Sequence, residues 1–409
     1  MKRLVLLALA AVSAFALLSP AKAQEFAPLV QKDTVSLVRV NLDKLDADNL
    51  SSQAEKLANS AIDFFVDDAK QAEETKQVVP LAKALIAGYF GSIVQPLKDA
   101  GVSTLYFVIE QSEDSDETLY PYIGIPTESL SKDQLQEARD AMKAINQQVN
   151  SALKYRFVRN GVFYTLIVPT DADDDEVKTY VKERFTKITP VEKPEFAEGF
   201  KIADPNAAIS GVTLSSKNET LAASQLDTIF SQLDEAEGIS DEIADKIKDS
   251  LKYVSDLNLK CADLVKFNVW DVNIDNLEIV SRTVANSEAD AKEYANLMNG
   301  ELKDKIGEVI DFAFTKAMEE AEDSDVTKEE ASELADAIKD VVGLFLKYDV
   351  DGATLSWKMN GAFWTNNKSV LDNLASKVSV VAEKFGSNDE DEDSSDDDGE
   401  LNLDEEEEE

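Results

Sequence analysis

Leu4 to Leu18 is a run of 15 residues rich in Leu and Ala, with Lys2 and Arg3 before it and Ala21-Lys22-Ala23 after it. A positive start, an apolar centre and small residues at the positions read by signal peptidase predict a cleavable secretory signal over residues 1–23, with Gln24 as the first mature residue. The competing reading is a retained anchor, but the run is shorter than the roughly 20 apolar residues that a bilayer core needs. No cysteine lies near the cleavage point to carry a lipid. No later stretch is apolar enough to span a membrane, so the mature chain is expected to be soluble, in the periplasm or outside the cell.

Beyond the signal, the pattern switches between period 2 and period 3.6. Val35 to Leu42 predicts a strand, and Leu57, Ala58, Ala61, Ile62 and Phe65 mark a helix. Val79 to Leu97 predicts a second, well-buried helix. Leu105 to Ile109 reads as a strand apolar on both faces, paired in a hairpin with Thr118 to Ile125 across the acidic turn at Glu113 to Glu117. Ser131 and Gln134 form a capping box for a helix whose buried stripe is Leu135, Ala138, Met142, Ile145 and Val149. Asn160-Gly161 predicts the tight turn of a second hairpin, between Tyr155–Val158 and Val162–Val168. A short helix follows from about Asp174 to Lys187.

Thr189 to Glu195 holds two prolines and no apolar periodicity, and is the candidate boundary. The second half then repeats the grammar: a strand at Ala208–Leu214, helices at Leu221–Leu233 and Asp241–Val254, and a hairpin of Leu264–Val272 with Leu277–Val284. A helix capped by Ser287 and Asp290 comes next, then helices at Leu302–Ala321 and Thr327–Leu346. Ala353–Met359 alternates strictly, as a strand with one wet face does, and Asn366–Phe385 closes the fold. The expected fold class is α+β: two similar units, a diverged duplication, each an antiparallel sheet covered on one face by helices. The expected organisation is signal 1–23, first unit 24–188, linker 189–195, second unit 196–386, and a disordered acidic tail 387–409.

Composition narrows the chemistry. The chain of 409 residues has no histidine and one cysteine, Cys261. That excludes an intramolecular disulfide, the His-dependent nucleophilic triads and the usual zinc sites. Cys261 reads as a buried small hydrophobe. The formal charge is −40. The tail from Ser387 to Glu409 carries 15 of the acidic residues and no Lys or Arg. Without the tail and the signal, 66 acidic and 38 basic residues leave a charge near −28. Such a surface repels nucleic acid and anionic membranes and attracts cations or basic proteins.

Few candidate sites stand out. Asp396, Asp398, Gly399 and Glu405 fall at EF-hand positions 3, 5, 6 and 12, but position 1 is Ser394 and no helix follows. Asp171 to Glu176 precedes a helix, where carboxylates suit the positive end of the dipole. Trp270, Trp357, Trp364 and Phe363 are candidates for a ligand groove. Trp357 is in phase with core residues, whereas Trp270 is out of phase with Val265, Phe267 and Val269 and is expected to face a partner or the other half. Three glycosylation acceptor patterns, at Asn49, Asn218 and Asn367, read as chance. Phosphate-cradling loops and nucleophile elbows are missing from the sequence.

The segment from Asp33 to Leu45, and the strand entering an Ala-rich, Ser-capped helix over Val280 to Leu302, resemble uncharacterised exported α+β proteins of planctomycete-type bacteria. The resemblance implies export and the fold class and brings no catalytic residues. No catalytic, cofactor-binding or metal-binding residue is therefore assigned. The expected function is that of a non-enzymatic binding or structural component of the periplasm or cell envelope, needing no cofactor, with protein or cation partners. The alternative is a secreted, glycosidase-like hydrolase using paired carboxylates, which need no histidine.

Overall fold

A computed structural model describes residues 26–386 apart from 66–75, 77–78, 113–118, 149–151, 171, 187, 216–222, 224–225, 228, 232–240 and 321–325. The signal segment, the acidic tail and the helix expected over Leu221–Leu233 thus lie wholly or mostly outside the described residues.

The first half runs β1 (Thr34–Asn41), α1 (Ala47–Phe65), α2 (Val79–Tyr89), a π-turn at Phe90–Val94, α3 (Gln95–Asp99), β2 (Thr104–Glu110), β3 (Tyr122–Pro126), α4 (Lys132–Gln148), β4 (Leu153–Arg159), β5 (Val162–Ile167) and α5 (Asp174–Thr186). The second half runs α6 (Pro194–Ile202), β6 (Ile209–Leu214), α7 (Asp241–Leu264), β7 (Val265–Asn273), β8 (Glu278–Ala285), α8 (Glu288–Asn296), a π-turn at Leu297–Leu302, α9 (Lys303–Glu320), α10 (Lys328–Phe345), β9 (Asp349–Asp351), β10 (Thr354–Met359), α11 (Gly361–Asn366) and α12 (Lys368–Gly386).

The fold is α+β, and among the described residues the strands form one antiparallel sheet of ten in the order β4-β5-β3-β2-β1-β6-β7-β8-β10-β9. Counted outward from the centre, the halves have the same succession: β1, β2, β3, β5, β4 on one side and β6, β7, β8, β10, β9 on the other. Two separate sheets were expected; instead β1 and β6 pair from Ser36↔Thr213 to Val40↔Ile209 and fuse the units. The reason lies in β1, whose residues Leu37, Val38 and Val40 are buried on alternate faces. A strand apolar on both faces needs neighbours and cover on all sides.

The first half also departs from the one-face expectation. On one face, Leu37, Tyr106, Tyr122 and Tyr164 pack under Val177 and Phe185 of α5 and Phe196 and Phe200 of α6. On the other, Val38, Leu105, Ile123 and Phe163 pack under Leu97 of α3 and Ala138, Met142 and Ile145 of α4. In the second half, α8 buries Ala291 and Ala295 against Ala285 and Leu355. The strict alternation expected of β10 holds only at its extremes, fully buried Leu355 and exposed Lys358; Thr354, Ser356, Trp357 and Met359 are all half-buried.

Local signals place most elements. Asn160 (φ 48°) and Gly161 (φ 74°) make the turn between β4 and β5, both in the left-handed region that a type I′ turn demands. The Gln134 N–H donates to Ser131 Oγ at 3.3 Å and the Ser131 N–H donates to Gln134 Oε1 at 3.0 Å, the reciprocal bonds of a capping box. At Ser287 the arrangement differs: the Asp290 N–H reaches Ser287 Oγ, but the Asp290 carboxylate accepts from the hydroxyl. Helix α7 extends ten residues past the expected end because Leu257, Cys261 and Leu264 continue its buried stripe. Within the expected Val79–Leu97 helix, Val79, Phe90 and Leu97 are buried while Pro80, Ala84 and Ala87 are exposed, so burial is partial.

The segment between the halves is docked. The Val191 N–H donates to the Val30 carbonyl at 2.9 Å, and Pro194 opens α6. The close approach of α6 to the sheet depends on Gly199. A Cβ there would sit 2.5 Å and 2.7 Å from the two methyls of Val212, which is fully buried. Gly199→Ala is expected to cost about 1–3 kcal/mol by overpacking. Urea unfolding should show the added Val212→Ala recovering part of that loss; simple additivity of the two changes would refute the contact.

Candidate functional site

Three side chains from separated parts of the chain meet beside α5. The last residue of β2, Glu110, is in phase with Tyr106 and Val108, so its carboxylate points into the core face. Its side chain has 0% exposure. Arg184 of α5 reaches down to it: Nη2 lies 3.1 Å from Glu110 Oε2 and 2.6 Å from Asp33 Oδ2, and Nε donates to Glu110 Oε2 at 3.2 Å. The Thr34 hydroxyl donates to the other Glu110 oxygen at 3.5 Å. Lys193 caps the strand start by donating to the Thr34 carbonyl at 2.7 Å. Burial pushes the Glu110 carboxyl up to about 7 against the opposing pull of Arg184. Asp33 and Arg184 open onto a shallow depression of about 380 Å³ rimmed by Gln31, Tyr180, Glu183 and Thr189.

The tyrosines beneath hold the start of the described chain to this site. Tyr122 donates to the Leu29 carbonyl at 2.8 Å and accepts from Gln31 Nε2 at 3.2 Å, and Tyr164 donates to the Pro28 carbonyl. Phe185, next to Arg184, stacks edge-on against Tyr122 with ring centres 5.4 Å apart.

A second buried carboxylate lies on the same sheet face. Asp271 of β7, in phase with Phe267 and Val269, is 1% exposed and pairs with Arg282 of β8. Its oxygens accept the Asp204 N–H from the end of α6, each at 3.4 Å. Burial lifts its carboxyl to about 7, with the Arg282 bond working the other way. In β6 the Ser210 hydroxyl, directly across from Asp271, is buried with no hydrogen-bond partner among the described residues.

Chemically, the first cluster brings two carboxylates onto one guanidinium nitrogen, which puts their bound oxygens no further apart than roughly 6 Å, a spacing seen in glycosidases. However, the guanidinium occupies the space between them, and Glu110 has no surface to offer a substrate. The first cluster reads chemically as an internal ion pair that anchors α5 to the sheet, and the second as an ion pair between neighbouring strands whose carboxylate also holds the backbone just after α6. Among the described residues, no group of three or more Cys, Asp or Glu is placed to hold a metal ion, and no helix is long and apolar enough to cross a membrane.

The residues singled out from the sequence come together only in part. In the cluster at 171–176, Asp173 accepts the N–H groups of Asp175 and Glu176 at 2.8 and 3.1 Å, as a helix cap does, and those bonds hold its carboxyl below the usual range. Cys261 is buried under α8 and its thiol is pushed up to about 11, mainly by burial. Trp270 packs against the first half's core. Trp357 lies against Phe345 and Phe363, ring centres 6.1 Å away in each case, and shares a sheet face with Trp270, both being strand neighbours of Ser281. The side chain of Trp364 and the loop-like stretch Ser394–Glu405 lie outside the described residues. Asn49 donates to Asp275 at 2.6 Å. Neither Glu110 nor Asp271 was anticipated, although each carries a sequence signal: a carboxylate in phase with the apolar side of a strand. No protein-family model matches the chain, and neither the curated proteins nor the solved structures include a match to it.

Proposed function

We propose that the chain is an exported, non-enzymatic component of the periplasm or cell envelope, acting by binding or by structure. The observation that carries this reading is that the two carboxylates most altered by burial, Glu110 and Asp271, are each committed to an arginine. Ionisable groups displaced this far are the usual candidates for catalysis, and here Glu110 ties a helix to the sheet and Asp271 ties two strands together. The export part rests on the signal pattern at residues 1–23, and the anionic surface speaks for cationic or basic partners and against nucleic acid. The alternative, a carboxylate-dependent hydrolase, has one observation in its favour: Asp33, which lines the depression, lies close to the buried Glu110 across Arg184.

One set of measurements separates the two. Expressed in a diderm host, the chain should be recovered from the periplasmic fraction beginning at Gln24. Against a panel of aryl glycosides between pH 4 and 8, it should release no more phenol than the folded D33N/E110Q double variant. Turnover that this double variant abolishes would establish the hydrolase.

A further inference from the structure

Among the described residues, the ten-stranded sheet ends in two edge strands, β4 and β9, of opposite character. On β4 the sequence is Leu153-Lys154-Tyr155-Arg156-Phe157-Val158-Arg159, and on β9 it is Asp349-Val350-Asp351. Val158 and Val350 are 37% and 40% exposed. We propose that these edges are complementary, and that the chain assembles with further copies of itself head to tail, β9 of one copy pairing with β4 of the next to continue the sheet.

Three observations converge. First, all neighbours are antiparallel and the strands number ten, so strand direction alternates across the sheet and β9 runs opposite to β4. A second copy placed by translation along the sheet therefore offers β4 antiparallel to β9. Second, the side chains match face by face. Directly paired residues share a face, and the chain of pairs from Val350↔Leu355 through Ser281, Trp270, Gly211, Val38, Phe107 and Ile123 to Thr165↔Arg156 puts Val350, Arg156 and Val158 on one face. Asp349, Asp351 and Arg159 share the other. Setting Val158 opposite Val350 brings Arg159 opposite Asp349. Third, charge selects the mode. Pairing β4 with β4, or β9 with β9, about a two-fold axis opposes like charges, which destabilises adjacent strands. Charged, short edges block sheet extension in many proteins; here the block acts only between like edges. A heterologous contact of this kind propagates rather than closes.

The partners already present leave the edge usable. Arg159 spends one donor on the Thr186 carbonyl at 2.8 Å and Arg156 one on the Leu153 carbonyl at 3.1 Å, each from a fork of five. Lys154 is held by Asp174 at 3.0 Å and is not counted on.

Sedimentation velocity of the purified protein tests the proposal, at loadings from about 10 µM to 1 mM, where small interfaces dissociate. The average mass of the wild type should rise at least twofold across the range. R159E alone and D349K alone should stay at monomer mass. An equimolar mixture of the two should regain association, because each variant's altered edge then meets an opposite charge; rescue also shows that both are folded. A wild type that stays monomeric throughout, variants that associate like the wild type, or a mixture that fails to associate would each overturn it.

Discussion

Replacing Arg184 with methionine is expected to destabilise the protein by about 3–5 kcal/mol at pH 8, the usual cost of stranding one partner of a buried ion pair. The substitution keeps most of the aliphatic stem and its packing beside Phe185, so the loss reports the charge. Two carboxylates lose their partner together. Asp33 retains some contact with water, whereas Glu110 has none and keeps only the long bond from Thr34. Glu110 can escape by taking up a proton, and burial already holds its carboxyl at about 7 in the intact protein. Without Arg184 it rises further. At pH 5 the group is neutral in both proteins, so the variant should then fall short by only about 1–2 kcal/mol, the cost of one imperfectly bonded buried polar group. Urea titrations at the two pH values measure the difference. An equal loss at pH 5 and pH 8 would mean that Arg184 acts through packing and that Glu110 does not titrate there.

That cluster shows where reading the sequence stops. The period-2 pattern of β1 and β2 marks both faces as apolar, and the structure covers both. The same pattern places Glu110 after Leu105-Tyr106-Phe107-Val108-Ile109, on the side of Tyr106 and Val108, which is enough to flag a carboxylate headed for the core. It carries no trace of Arg184, 74 positions away on a wet-looking helix, because such a pairing depends on where α5 crosses the sheet. Strand order is similarly hidden. Alternation tells which faces of β1 and β6 are buried and says nothing about which edge meets which, so two sheets were expected where the two halves share one. Asp349–Asp351 has no apolar alternation and owes its strand conformation to the tight turn at Gly352 (φ 58°) and to pairing with β10. Caps and turns, by contrast, are local: Ser131 with Gln134, and Asn160 with Gly161, act within four residues and were legible as such.

The two buried carboxylates together set an unusual pH dependence. In the unfolded chain Glu110 and Asp271 release their protons near 4, as ordinary carboxylates do. In the folded protein burial raises both to about 7. Between these values the native state binds more protons than the unfolded one, so stability falls as pH rises. The contribution is complete below about pH 4 and is lost through pH 7. Each group adds a slope of up to about 1.4 kcal/mol per pH unit over that interval, and repulsion within the acidic surface adds to it with the same sign. The protein is therefore expected to be several kcal/mol more stable at pH 5 than at pH 8, whereas proteins with salt-bridged, depressed carboxylates lose stability on acidification. Isosteric amides isolate the source. E110Q and D271N should each flatten the profile between pH 5 and 8, and the double variant should retain only the shallower slope from surface charge, which added salt then screens. The Glu330 carboxylate, held down to about 2 by Lys384 and Thr327, titrates below this window and leaves it undisturbed. If the double variant keeps the full slope, the surface charge alone produces it, and the arginines hold Glu110 and Asp271 ionised throughout.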